Sequence, residues 1–210
     1  QEEAVEWARD QEEPFLFINA PTGSGKTFIG STVGVRSNMP FTYAVHTIML
    51  QNQVANTFEN MPVFIGRGNF PCLIGDQTHP LSSKEVTAAD AICAMPSYDS
   101  GDCDHDRSAV FENQCPYFQQ NFRAMSSRFR TVNYALLLNY PPLVRLGPRS
   151  PQWMTPTRLL VCDEAHNVES AVCDAVSISL SNRTFSRMDI KLPQYTDVLD
   201  WAAWAKDVRK

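Results

Sequence analysis

No apolar run in this 210-residue sequence approaches the roughly 18 residues needed to cross a bilayer, which excludes a helical membrane span. A secretory signal is also missing from the first residues, so the six cysteines point to a reducing compartment, cytoplasmic or nuclear. There is no basic excess: the net charge is −5, and the whole-chain balance gives no support to nucleic-acid binding. The distribution is less even. From Asn121 to Arg158 acidic residues are absent, while Arg123, Arg128, Arg130, Arg145, Arg149 and Arg158 are present. A stripe of one sign could steer a phosphate backbone whatever the total charge. The cysteines, finally, show none of the short CxxC spacings that announce a zinc ribbon.

What is present is a phosphate loop. The apolar run Phe15-Leu16-Phe17-Ile18 reads as a strand, Ala20-Pro21-Thr22-Gly23-Ser24-Gly25-Lys26-Thr27 as a loop, and the segment from Phe28 to Val35 as a helix. Gly23 and Gly25 allow a tight turn that aims backbone N–H groups and a helix N-terminus at phosphate oxygens. Lys26 is expected on the β- and γ-phosphates, and the Thr27 hydroxyl on Mg²⁺. Ala20 stands where the general pattern has Gly. Ala followed by Pro-Thr-Gly-x-Gly-Lys-Thr resembles the form of this motif in superfamily 2 helicases.

Along the rest of the chain, Gln1 to Arg9 reads as a short amphipathic helix, Phe41 to Thr47 as a second strand, and the segment from Ile48 as a helix. Between Gly66 and Cys115 periodicity is lost, and Pro, Asp, Ser and Cys dominate. A bare loop of that length is improbable inside a compact domain, so something other than an apolar core should hold it. Helical character returns at Phe118. Thr131 to Tyr140 reads as a strand leading into a short helix, and Leu143 to Pro156 as a loop. Thr157 to Cys162 reads as a buried strand, with Asp163-Glu164-Ala165-His166 at its C-terminal end and a helix from Asn167 to Val176. Ligands of an open parallel sheet sit outside the carboxyl ends of its strands, so the phosphate loop and these acids are expected on one edge.

At that edge Asp163 is expected to hold the Mg²⁺ water shell and Glu164 to orient and deprotonate the attacking water. His166 would sense the γ-phosphate. In the irregular stretch, Cys72, Cys93, Cys103 and Cys115 could supply tetrahedral zinc or an iron–sulfur cluster, with His79 and His105 close enough in sequence to suit zinc. Cys162 and Cys173 read as buried apolar residues.

Gly66-Arg67-Gly68-Asn69-Phe70-Pro71-Cys72, Cys115-Pro116-Tyr117-Phe118, Val132 to Leu138 and Val161 to Asn167 follow the phosphate loop in order. Together they resemble the XPD/DinG family of iron–sulfur DNA helicases from Gln1 to about Glu169. The resemblance implies an α/β RecA-like lobe in two parts, residues 1–55 and 121–178. A 4Fe-4S domain over 56–120 would interrupt it, and an arch-like insertion would begin at 179–210. It implies that Cys72, Cys93, Cys103 and Cys115 hold the cluster, that Gln1 reads adenine, and that Thr47, Gln51 and Asn133 lie along single-stranded or forked DNA. The implied activity is ATP-dependent 5′→3′ translocation and unwinding, which needs a second RecA-like lobe of the same polypeptide. The rival readings are a zinc-containing P-loop ATPase that remodels RNA or protein, and a nucleotide-dependent binding module without unwinding activity.

Overall fold

The computed structural model describes residues 1–58, 61–73, 87–89, 91, 115–140, 154–177 and 197–208. Its centre is a four-stranded sheet built from β1 (Phe41–Val45), β2 (Val63–Phe64), β3 (Phe129–Asn133) and β4 (Leu159–Cys162) in the order β2-β3-β1-β4. Every pairing is parallel, with Ala44 beside both Val132 and Cys162. Parallel pairing requires crossovers, and a sheet of this kind is stable only with both faces covered. Helices flank it accordingly: α1 (Glu2–Arg9), α2 (Lys26–Arg36), α3 (Ile48–Thr57), α4 (Pro116–Ser126), α5 (Tyr134–Asn139) and α6 (Val168–Val176). The fold is α/β and consistent with a RecA-like lobe. The chain divides into two compact units, Gln1–Ala175 and Val176–Lys210; the second contains α7 (Val198–Val208). Among the described residues no helix is long and apolar enough to cross a membrane.

Strand alternation sorts the core into two layers. Phe41, Tyr43 and Val45 pack with Val54 of α3 and with Phe129, Leu159 and Val161 on one face. Ala44, Val132 and Cys162 face the other way, onto Met125 of α4, Leu137 of α5 and Ala171 of α6. Two glycines let α2 approach the first face. A Cβ on Gly34 would stand 2.6 Å from the Phe41 ring, and one on Gly30 would stand 2.8 Å from Val161 Cγ1 and 3.2 Å from Tyr43 Cε2.

Three expectations change. The run Phe15 to Ile18 does not join the sheet: its backbone is irregular, and Phe15 and Phe17 are 79% and 83% exposed. β4 is consequently the edge of the sheet and, with Leu160 half-exposed, not the buried strand expected. A β-prone run becomes a strand only where pairing and burial offset the entropy of ordering it, and here its apolar side chains have no covering layer. The arginine stripe is not a single surface either. Arg128 and Arg158 sit at the N-terminal ends of β3 and β4, opposite the phosphate loop, and Arg128 is held by the carbonyl and side-chain oxygens of Asn38 at 2.7 and 3.0 Å.

Arg130 is completely buried. Its Nε donates to Thr42 Oγ1 at 3.1 Å, its Nη1 to the carbonyls of Ala124 and Met125 at 3.2 Å each, and its Nη2 to Thr155 O at 2.6 Å. The guanidinium thus closes the C-terminal end of α4, where helix carbonyls lack intrahelical donors and the dipole favours a cation. Burial lowers its pKa to about 10, which leaves it charged at neutral pH. Met at this position keeps the apolar stem but leaves those carbonyls short of donors. Arg130→Met should lower the unfolding free energy by about 2–4 kcal/mol in urea titrations. A loss below about 0.5 kcal/mol would show that the bonds contribute nothing net.

Candidate nucleotide site

The loop from Ala20 to Thr27 turns on two left-handed residues, Gly23 at φ 80° and Gly25 at φ 83°, and Gly25 caps α2. Within it Ser24 N donates to Pro21 O at 3.2 Å. Lys26 and Thr27 are therefore the first residues of a helix whose N-terminal N–H groups are open to an anion. Ser24 Oγ is buried without a hydrogen-bond partner, an orphaned polar atom in the middle of the loop. Gln1, at the start of α1, reaches across and donates its Nε2 to Ser24 O at 2.8 Å.

The acids arrive from β4. Asp163 follows the strand directly, and its N–H donates to Ala44 O at 2.9 Å, which extends the ladder by one residue. Two tyrosines converge on it. Tyr134 donates its hydroxyl to Asp163 O at 2.6 Å, and Tyr43 donates its hydroxyl to Asp163 Oδ2 at 3.1 Å. Burial, then the Asp163 charge, raises the Tyr43 pKa well above the ordinary phenol range, and burial raises that of Tyr134 likewise. Both are neutral hydrogen-bond donors at neutral pH. Burial also raises the Cys162 thiol, which stays protonated in the core.

Glu164 is held differently. Its φ of 54° is a left-handed conformation that a non-glycine residue adopts at a cost of about 1 kcal/mol, where the chain bends from β4 into a 3₁₀ turn, Ala165–Asn167. Its Oε1 lies 3.1 Å from Lys26 Nζ and its Oε2 3.4 Å from His166 Nδ1. These groups are partly to largely exposed, so the pairs contribute roughly 0–1 kcal/mol each.

The expected residues thus divide. Ala20 to Thr27, Gln1, Asp163, Glu164 and His166 come together at the C-terminal edge of the sheet. The Thr27 hydroxyl and the Asp163 carboxylate are the hard oxygen donors that suit Mg²⁺. Thr47 and Asn133 occupy the same edge, each as a helix cap: Thr47 Oγ1 accepts from Leu50 N at 3.3 Å and Asn133 Oδ1 from Leu136 N at 2.8 Å. Gln51, expected along DNA, is completely buried. Its Nε2 donates to Phe64 O at 3.0 Å and Thr131 O at 3.4 Å, which joins α3 to β2 and β3, so it is a packing residue. Tyr43 was not anticipated at the site. The signal was its place in the β1 alternation, on the face that meets α2.

Of the four cysteines, Cys93 and Cys103 lie outside the described residues. Cys115 is buried at the N-terminus of α4 with Ala88 and Tyr117, packed by Phe70 and Phe118. Cys72 is half-buried and follows Pro71, which bridges to Thr87. The Arg67 guanidinium lies 4.6 Å from the Tyr117 ring centroid, so both cysteine-bearing segments meet one aromatic cluster. Among the described residues no three His, Cys, Asp or Glu side chains are grouped to hold a metal.

The family model DEAD_2 matches residues 83–185, just under half of the chain, and indicates a DEAD-like helicase family. The matched stretch contains the Asp163–His166 turn, whereas the phosphate loop lies outside it. No match was found among curated proteins or solved structures.

The two loop glycines are distinguishable by substitution. A Cβ at Gly23 meets nothing within 4 Å, so Gly23→Ala should cost only the left-handed strain, about 1 kcal/mol. A Cβ at Gly25 would collide with the Gln1 amide, so Gly25→Ala should cost about 1 kcal/mol more by displacing that side chain from Ser24. Thermal unfolding of both variants, repeated with Gln1→Ala, should show the excess disappearing when Gln1 is truncated.

Proposed function

We propose that this chain is the nucleotide-binding motor lobe of an ATP-dependent, superfamily 2 DNA helicase of the XPD/DinG type. The observation that carries the reading is the convergence of Lys26, Thr27, Asp163 and Glu164 at one sheet edge from two elements far apart in sequence. The DEAD_2 match supports the helicase class. In this reading the loop N–H groups and Lys26 bind the β- and γ-phosphates, and Thr27 and Asp163 hold Mg²⁺, which would neutralise phosphate charge. Glu164 accepts a proton from the attacking water. His166 reports the γ-phosphate, and Gln1, bonded to the loop at Ser24 O, reads adenine.

Single-stranded DNA would run past the ends of β1 and β3, where Thr47 and Asn133 cap their helices and leave backbone groups at the surface. The 4Fe-4S insertion expected over 56–120 would begin only after β2, whose Val63 and Phe64 pair with β3 in the central sheet, with Cys72 and Cys115 contributing two thiolates and Cys93 and Cys103 the others. Residues 1–55 and 121–178 together with β2 make up the motor lobe in this scheme, and 179–210 begin the arch. A second motor lobe completes the ATP site and drives 5′→3′ translocation on forked DNA.

In the complete helicase, Lys26→Ala should abolish ATP hydrolysis. Glu164→Gln should keep nucleotide affinity within about 3-fold while lowering kcat by at least about 100-fold. Equal loss of affinity in both variants would remove Glu164 from its assigned role, and turnover in Lys26→Ala would remove Lys26 from its own.

For the insertion, anaerobically purified protein should contain iron and absorb near 400 nm, and Cys115→Ser should release the iron and increase proteolysis after Cys72. Zinc in place of iron would redirect the reading to a zinc-containing ATPase.

A further inference from the structure

We propose that Tyr43 is a positioning residue of the nucleotide site. Its hydroxyl, reached from β1 beneath α2, holds the Asp163 carboxylate in the orientation that receives hydrated Mg²⁺. The proposal rests on the ATP reading of the site.

Its geometry begins with register. Tyr43 pairs with Val161 in β4, two residues before Asp163, on the face covered by α2. From there an extended phenol can pass under the first turns of α2 only if the helix has no side chain in the way. Gly30 provides that opening, since a Cβ there would stand 3.2 Å from Tyr43 Cε2 and 3.7 Å from its oxygen. The ring is 1% exposed, and its hydroxyl donates to Asp163 Oδ2 at 3.1 Å.

The carboxylate assigned to Mg²⁺ is thereby oriented by one buried group that does not itself face the nucleotide. A hydroxyl has one donor position, and here its proton goes to that carboxylate. Tyr134 constrains the same aspartate through its carbonyl, which leaves the carboxylate orientation to Tyr43. Partners that orient metal ligands in this way typically change metal affinity about 10-fold or more when removed.

Tyr43→Phe keeps the ring and deletes the hydroxyl. In the full chain, binding of a fluorescent ATP analogue is titrated with Mg²⁺ and measured separately in EDTA. The expected result is a Mg²⁺ midpoint raised about 10-fold with EDTA binding within about 2-fold of wild type. An unchanged midpoint, or an equal loss with and without Mg²⁺, would overturn the proposal, because a ring that only packs behaves in one of those two ways.

Wild-type protein that binds the analogue without Mg²⁺ dependence would sink the ATP reading as a whole. A Mg²⁺-dependent wild type with an identical Tyr43→Phe would sink only the role of Tyr43.

Discussion

How closely α2 lies on the sheet governs the geometry of the site. Gly30 and Gly34, one turn apart, remove the side chains that would hold the helix off Val161, Tyr43 and Phe41. A helix seated one methyl group further out would carry Lys26 and Thr27 away from Asp163, because these residues belong to its first turn. Glycine inside a helix costs roughly 1 kcal/mol relative to alanine. The close packing offsets that cost by burying the phenylalanine and tyrosine rings of β1, which are 0% and 1% exposed.

The opposite layer is fixed by polar groups as much as by apolar ones. Arg130 ties the end of α4 to β1 and to the segment entering β4, so the cysteine-bearing helix and the strand leading to Asp163 share one buried cation. Its charge has no carboxylate beside it among the residues it bonds, and five oxygens take its place. The exposed Arg128 lies at the far edge of the sheet, where it holds Asn38. Positive charge at the nucleotide edge of the described residues therefore falls to Lys26 and the helix N-terminus, a concentration that favours phosphate.

Local rules made part of this legible. Gly25-Lys26-Thr27 opens a helix because a left-handed glycine is the least strained entry into it, and Asp163 ends a strand because Leu159 to Cys162 is β-prone and apolar. Such preferences act within a few residues, and the sequence states them directly. Phe15 to Ile18 satisfies the same local preference yet stays irregular, since strand formation depends on a neighbour and a covering layer that its own composition does not specify. Gln51 fails for a related reason: whether a polar residue on a helix faces water or two strand carbonyls is decided by how the helix docks. Arg130 sits in a run without acids that looked like a solvated stripe, and only tertiary packing reveals that backbone oxygens take the place of counter-ions there.

The two neighbouring acids are held in opposite ways, and the difference bears on how such a site works. Asp163 is fixed at its N–H, its carbonyl and its carboxylate by Ala44, Tyr134 and Tyr43, groups drawn from β1 and α5. Glu164 is one residue further on, in a strained left-handed conformation, and its carboxylate is held only by partly exposed Lys26 and largely exposed His166. An exposed ion pair of roughly 0–1 kcal/mol is readily exchanged for a phosphate, which offers lysine more charge and more acceptor oxygens. Phosphate arriving in the loop would therefore draw Lys26 away and release Glu164, while Asp163 stayed in place. Under the proposed roles, the acid that would orient metal is the rigidly held one, and the acid that would take a proton from water is the one free to reach it.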